Sequence, residues 1–190
     1  MGGEFVPKSE IRKQYKEKRG ELSPETVKEK SIIAEEFFIN CEFFKNAASV
    51  MLYIPLKNET DTEIIINKCF EEDKRVSLPV TSPVNFEITP HIAHKNTVFN
   101  KGTFNVFEPQ NTEISEISQV DVVLVPGIAF DKNGARIGFG KGCYDKLLKN
   151  YKGIKVGFCY DFQVLSELPV DENDVTMDYI VTEKGIIECK

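Results

Sequence analysis

The sequence predicts an α/β fold: a three-layer sandwich with a mostly parallel central sheet, flanking helices and a small β-rich insertion. Three observations carry this expectation. Residues 47–55, 121–125 and 154–160 are strand-length, predominantly apolar runs, the pattern of buried strands. Strand, helix and strand follow one another between residues 47 and 80, the order of a parallel βαβ unit. A glycine-rich loop then separates the strand at 121–125 from a helical pattern beginning near Cys143.

Each element has its own signal. Residues 7–20 read as a helix, with Pro7 suited to its first turn, Ile11 and Tyr15 on one face, and Lys8, Arg12, Lys16 and Arg19 forming a basic stripe. Ser23-Pro24 opens a second helix as N-cap and first helical residue, with Val27, Ala34, Phe37, Phe38 and Cys41 as its apolar face. After the strand at 47–55 comes the loop 56–60, and Thr60 or Asp61 is placed to cap a third helix through Ile64, Ile65 and Cys69 to about Glu72. Residues 75–80 read as a short strand. Pro83, Pro90 and Pro109 punctuate residues 81–110, which read as short antiparallel strands or a β-rich insertion. Asn133-Gly134 signals a tight turn, and residues 177–187 supply a last strand with a hairpin around Lys184-Gly185.

Composition bounds the function. The chain has 190 residues, 41% apolar and 28% charged, enough for one well-cored domain over 1–190, with no repeat, low-complexity tract or linker. Its net charge of −6 argues against a nucleic-acid surface, although a local basic cluster around a small anion is compatible with it. No apolar run is long enough to cross a bilayer, and Met1-Gly2-Gly3-Glu4-Phe5 lacks the basic-then-apolar pattern of a secretory leader. The five cysteines are odd in number, widely spaced and without C-x-x-C, which points to reduced thiols in a cytoplasmic protein. A monomer is expected.

The chemistry concentrates in Arg136-x-Gly138-x-Gly140-x-Gly142. Its spacing matches neither a Walker A loop nor a dinucleotide-binding fingerprint. Glycines let the backbone approach a ligand, a helix start offers free N–H groups, and Arg136 and Lys141 add charge; together these read as a nucleotide-phosphate site. Asp145 adds an oxygen of the kind Mg²⁺ prefers, and Asp174 is a second candidate ligand, though by itself it reads as part of an acidic loop. Lys8 and Arg12, at i and i+4, read as a solvated face unless the first helix docks on the glycine loop, where they would reach phosphates. Glu59, at the presumed ligand rim of the sheet, is placed to accept hydrogen bonds from a polar heterocycle. Tyr53, Phe130, Phe139 and Tyr144 are either ring-stacking candidates or, more ordinarily, core. His91 and His94 have no triad around them, and Cys143 reads as a small apolar liner rather than a reactive thiol.

The segment Pro126-Gly127-x-x-Phe130-Asp131-x-x-Gly134-x-Arg136-x-Gly138-x-Gly140-x-Gly142-x-Tyr144-Asp145 resembles the signature of the 5-formyltetrahydrofolate cyclo-ligase (methenyltetrahydrofolate synthetase) family. Lys8-x-x-x-Arg12, Ile54 with residues 58–62, Gly157-Phe158 through Gln163, Asn173-Asp174 and Val181-Thr182-Glu183 extend the resemblance over nearly the whole chain. Cys143 stands where the family often has an aromatic residue, and Asn173 where many members have histidine.

The resemblance implies a Rossmann-like three-layer fold, related to those of sugar-phosphate isomerases and CoA-transferases (the NagB/RpiA type). It implies conversion of 5-formyltetrahydrofolate, with ATP and Mg²⁺, into 5,10-methenyltetrahydrofolate, ADP and phosphate. It places ATP at Lys8, Ser9, Glu10, Ile11 and Arg12 and at Arg136, Ile137, Gly138, Phe139, Gly140, Lys141, Gly142, Cys143 and Tyr144. Folate falls at Ile54, Glu59 and residues 139–143, and Mg²⁺ at Asp145 and Asp174. Arg136, Lys141, Lys8 and Arg12 would then serve catalysis by neutralising charge. Two other functions remain open on the residues alone: a sugar-phosphate isomerase, which needs no ATP but wants a base near the sugar, and a nucleotide sensor without turnover.

Overall fold

The computed structural model describes residues 6–190, so the reading of Met1–Phe5 lies outside the described residues. Two helices come first, α1 (Lys8–Gly20) and α2 (Pro24–Asn40), followed by a short third, α3 (Glu42–Asn46). The Ser23 side chain accepts the Thr26 N–H, with Pro24 at the first helical position, so the cap of α2 forms as its residues predict.

The central sheet alternates with the remaining helices. Its first strand is β1 (Ser49–Met51); α4 (Glu63–Glu71), β2 (Arg75–Thr81) and β3 (Ile88–Ala93) follow. A two-stranded hairpin, β4 (Phe99–Lys101) and β5 (Phe107–Pro109), precedes β6 (Val122–Pro126). Next come β7 (Ala129–Asp131), β8 (Arg136–Ile137), α5 (Cys143–Leu148) and β9 (Ile154–Phe158). The chain ends with β10 (Val164–Leu165), β11 (Tyr179–Thr182) and β12 (Gly185–Glu188). Seven strands form the main sheet in the order β12-β11-β9-β6-β1-β2-β3, and β10-β7-β8 form a small second one. The five inner strands run parallel, and β3 and β12 pair antiparallel at the two edges.

Strand alternation divides the core into two faces. Val50, Val122, Leu124 and Val156 pack under α2 and α4 with Ala34, Phe38 and Ile65. Met51, Val123, Val125 and Ile180 pack on the other side with Leu148 of α5 and Tyr151. A third cluster joins Ile11 of α1 to Ala129, Ala135, Ile137 and Leu168, which docks α1 against the small sheet.

Several expectations need correction. Residues 81–110 do form short antiparallel strands, but β3 extends the main sheet along β2 from Val76 to Thr81, so the insertion is confined to β4–β5. The run at 47–55 contributes just Ser49–Met51 to the ladder before the chain crosses the sheet's carboxyl end. Phe37 is 40% exposed, because it lies beside the stripe formed by Ser31, Ala34, Glu35 and Phe38. Helix α4 begins at Glu63, two residues later than a Thr60 cap would give and one later than an Asp61 cap. Asp61 accepts the Thr62 and Glu63 N–H groups, and the buried Glu35 of α2 accepts those of Ile64 and Ile65. All five cysteines are free thiols. Among the described residues no helix is long and apolar enough to cross a membrane.

Candidate active site

Strand order reverses direction between β1 and β6: the chain moves outward from β1 to β2 and β3, and from β6 to β9, β11 and β12. A crevice opens beyond the carboxyl ends of strands at such a point. A cavity of about 470 Å³ lies there. The segment after β1 lines it with Ile54, Leu56 and Glu59, and the segment after β6 with Pro126 and residues 136–145. Helix α1 lays Lys8, Arg12 and Lys16 along it.

The glycine loop is shaped around Arg136. This side chain is 5% exposed; its Nη2 donates to Asp145 Oδ1 at 2.9 Å and its Nη1 to the Pro126 carbonyl at 3.3 Å. A Cβ on Gly138 would stand 2.6 Å from Nη1, so any other residue there would push the guanidinium from its place. Nε is buried without a partner, one donor unspent. Gly140 and Gly142 take φ of +96° and +65°, conformations that let the loop turn back into α5. Helix α5 is only six residues long, so the positive charge of the site comes from side chains more than from a helix end.

Helix α1 does dock on this loop: Arg12 Nε donates to the Gly138 carbonyl at 2.9 Å. Lys8 Nζ bridges Asp171 and Asp174. Burial pulls the Lys8 pKa down, but its two carboxylate partners outweigh this and raise it above the usual lysine value. Burial likewise pushes Asp174 up, while the Asp171 N–H and Lys8 more than compensate and hold it below the ordinary aspartate value. Lys141 is exposed at the mouth, its Nζ 4.8 Å from the centre of the Phe86 ring. Ser9, Glu10 and Ile11 do not line the cavity: the first two are exposed, and Ile11 is buried in the third core cluster.

Glu59 is 6% exposed, not a solvated loop carboxylate. Its Oε2 accepts the Leu56 N–H at 2.8 Å and its Oε1 faces Arg19 Nη1 at 3.3 Å. Burial raises its pKa above the usual glutamate value, against the lowering effect of Arg19. Of the four aromatic candidates, Phe139, Tyr53 and Tyr144 line the cavity, the Tyr53 hydroxyl already donating to the Thr60 carbonyl. Phe130 belongs to the core. Cys143 lines the wall, with burial raising its thiol pKa, which suits an apolar liner. Neither histidine lines the cavity.

The sequence reading missed several lining residues. Thr81, Phe104, Val106 and Glu108 reach the cavity from the β2–β5 region, and Asp171 joins Asp174. Glu108 binds the Thr81 N–H at 3.0 Å and so pins the β4–β5 hairpin to the end of β2. Its one sequence signal is that it is the single acid of the hairpin, residues 99–109. Arg19 was seen only as the last residue of a basic stripe, yet it is 7% exposed.

The family model for the 5-formyltetrahydrofolate cyclo-ligase family matches residues 5–183. The chain belongs to the 5-formyltetrahydrofolate cyclo-ligase family. It is accordingly an enzyme of the ligase class. A 5-formyltetrahydrofolate cyclo-ligase of Escherichia coli K12 is 30% identical over 181 residues, covering 91% of this chain and 98% of the relative. The Saccharomyces cerevisiae cyclo-ligase is 34% identical over 167 residues, covering 75% and 79%. The solved structure of Aquifex aeolicus 5,10-methenyltetrahydrofolate synthetase superposes with a TM-score of 0.87 at 38% identity, covering 97% of this chain and 94% of that one. The corresponding Mycoplasma pneumoniae enzyme gives a TM-score of 0.75 at 26% identity, covering 94% and 99%. The mixed sheet and its flanking helices are thus the family's fold.

Proposed function

We propose that this chain, acting as one domain, converts 5-formyltetrahydrofolate to 5,10-methenyltetrahydrofolate with ATP and Mg²⁺. The observation that carries the reading is the convergence of Arg136, Arg12, Lys8 and the glycine loop on a single cavity that Glu59 also lines. A phosphate wall and a heterocycle acceptor share one chamber. A nucleotide sensor needs only the first. A sugar-phosphate isomerase needs a base beside its sugar, whereas Glu59 is held by Arg19 and Leu56. The relatives agree in one activity, and the match spans most of their length.

The chemistry follows from what the formyl group lacks. The N5-formyl carbon is an amide carbon and a poor electrophile, and its oxygen is a poor leaving group. The formyl oxygen takes the γ-phosphoryl group of ATP and ADP leaves, giving an iminium phosphate at N5. N10 of the same molecule attacks the activated carbon. The C–O bond then breaks, and the N10 proton leaves with the phosphate. Because the nucleophile is intramolecular, positioning replaces most covalent chemistry by the protein. Phosphoryl transfer asks chiefly for alignment and charge neutralisation. Arg136, Arg12, Lys8 and Lys141 supply these, and Glu59 holds the pterin by accepting its N–H groups.

Mg²⁺ usually binds through one or two carboxylates, with phosphate oxygens and waters completing its shell. Among the described residues there is no group of three His, Cys, Asp or Glu side chains able to hold a metal alone. Asp145 and Asp174 nevertheless fit this looser requirement: both line the cavity, and the Val175 N–H reaches Asp145 Oδ1 at 3.4 Å, which brings their segments together. They would hold the ion, whose chemistry is to neutralise phosphate charge. Arg136 and Lys8, which now pair with them, would then turn to the phosphates.

The five free thiols suit a reducing compartment, so a cytoplasmic location belongs to the proposal. So does action as a monomer, because one chain supplies every wall of the cavity. The test is near-ultraviolet absorbance on mixing protein, 5-formyltetrahydrofolate and Mg²⁺ with and without ATP. A rise that requires ATP supports the reading. Tight ATP binding without a rise would leave a nucleotide sensor instead.

A further inference from the structure

Helix α1 ends at a residue whose surroundings differ from those of the rest of its basic stripe. Of that stripe Lys16 is exposed and Lys8 and Arg12 are half-buried, whereas Arg19 is 7% exposed. Its Nη1 stands 3.3 Å from Glu59 Oε1 and 3.4 Å from the Gly127 carbonyl, and its guanidinium lies 5.6 Å from the centre of the Phe139 ring. One side chain thus touches the folate-side loop, the turn after β6 and the glycine loop.

The main chain reinforces the junction. Asn58, at a φ of 61°, donates its Nδ2 to the Arg19 carbonyl at 3.0 Å and to the Gly20 and Leu22 carbonyls. These bonds tie the end of α1 to the loop bearing Glu59. At its other end α1 grips the glycine loop through Arg12 and the Gly138 carbonyl.

We propose that Arg19 is a positioning residue for the folate half of the reaction, fixing and aiming the Glu59 carboxylate at the N–H groups of the heterocycle. This rests on the cyclo-ligase reading of the cavity. A buried carboxylate without a cation would take up a proton and become in part a donor, the wrong partner for a heterocycle N–H. The groups facing Glu59 are Arg19 from α1, Tyr53 from the end of β1, Tyr144 from α5, and Tyr160, whose hydroxyl donates to the Glu59 carbonyl at 3.1 Å. Arg19 is the cation among these. Burial raises the Glu59 pKa and Arg19 opposes it. The buried position at a helix C-terminus also suits a cation.

The test is a double-mutant cycle of Arg19→Met and Glu59→Gln, with Arg19→Lys as the charge-retaining control. Arg19→Met is expected to raise the KM for 5-formyltetrahydrofolate tenfold or more and leave the KM for ATP within about twofold. It should also move the acid limb of kcat/KM for folate to higher pH. Arg19→Lys should restore the acid limb, and Arg19→Met should add little in a Glu59→Gln background. Carbon NMR of protein labelled at the glutamate carboxyl, with Glu59→Gln as the assignment, reads the same effect without substrate: the Glu59 titration moves upward in Arg19→Met. An unmoved titration, or equal effects of Arg19→Met with and without Glu59, overturns the inference. A moved titration in a protein that turns over no folate would leave Arg19 as the group that fixes the Glu59 carboxylate and sink the cyclo-ligase reading on which its folate role rests.

Discussion

Replacing Arg136 by alanine isolates the phosphate wall. The change removes a guanidinium that is 5% exposed and strips Asp145 of its 2.9 Å partner and the Pro126 carbonyl of a weaker one. Arginines that stabilise phosphoryl transfer contribute about 10³–10⁵ in rate, or about 4–7 kcal/mol at about 1.4 kcal/mol per tenfold. The expected loss in kcat/KM is therefore at least about a thousandfold. Stability falls less. A carboxylate left unpaired at 24% side-chain exposure retains water on one side, which puts the cost near the low end for a broken ion pair, about 2 kcal/mol. For a chain of this size that lowers Tm by about 4–8 °C. Near-ultraviolet absorbance gives the rate and calorimetry the stability. Adding Asp145→Asn to Arg136→Ala relieves the unpaired charge and so recovers stability without recovering rate. Full turnover by a folded Arg136→Ala protein would refute the assignment.

Three further expectations follow from the structure. Asp174→Asn raises the Mg²⁺ concentration for half-maximal rate tenfold or more while changing the KM for folate less than twofold, checked by metal titration at saturating ATP. Glu35 is 2% exposed, and burial lifts its carboxyl to about 7 despite two backbone donors; the folded state then holds a proton the unfolded chain has lost, so this stability is present below about pH 4.5 and is lost as pH rises towards 7. Glu35→Gln keeps the acceptor oxygen and should flatten that part of a Tm–pH curve, with the gain greatest above neutrality. Gly134 has a φ of +87°, and a Cβ there would lie 2.3 Å from the Met177 carbonyl oxygen, so Gly134→Ala costs at least about 2 kcal/mol in denaturant unfolding.

What could be read beforehand was set by local physics. Parallel strands buried on both faces are nearly all apolar, so β6 stands out as a run and β9 does so in spite of Lys155. The rule that ligands lie beyond strand carboxyl ends put Glu59 and the glycine loop on one rim, where the cavity is. What escaped was decided by partners far along the chain. Arg19 resembles its solvated neighbours until Glu59, 40 residues away, is folded against it. The pairing of Lys8 with Asp174 spans 166 residues and leaves no periodic trace. Strand β3 carries a proline and polar residues because it is an edge, which made it look like part of an insertion. Glu35 looks like surface on a helix until α4 presents its amide groups to it.

The most direct test of the central claim uses 5-formyltetrahydrofolate carrying ¹⁸O in its formyl group, with ATP, Mg²⁺ and the wild-type protein. If the formyl oxygen takes the γ-phosphoryl group, absorbance of the methenyl product rises, one ADP forms per product, and the ¹⁸O is recovered in inorganic phosphate. Methenyl product formed without ADP, or phosphate free of ¹⁸O, would contradict the account.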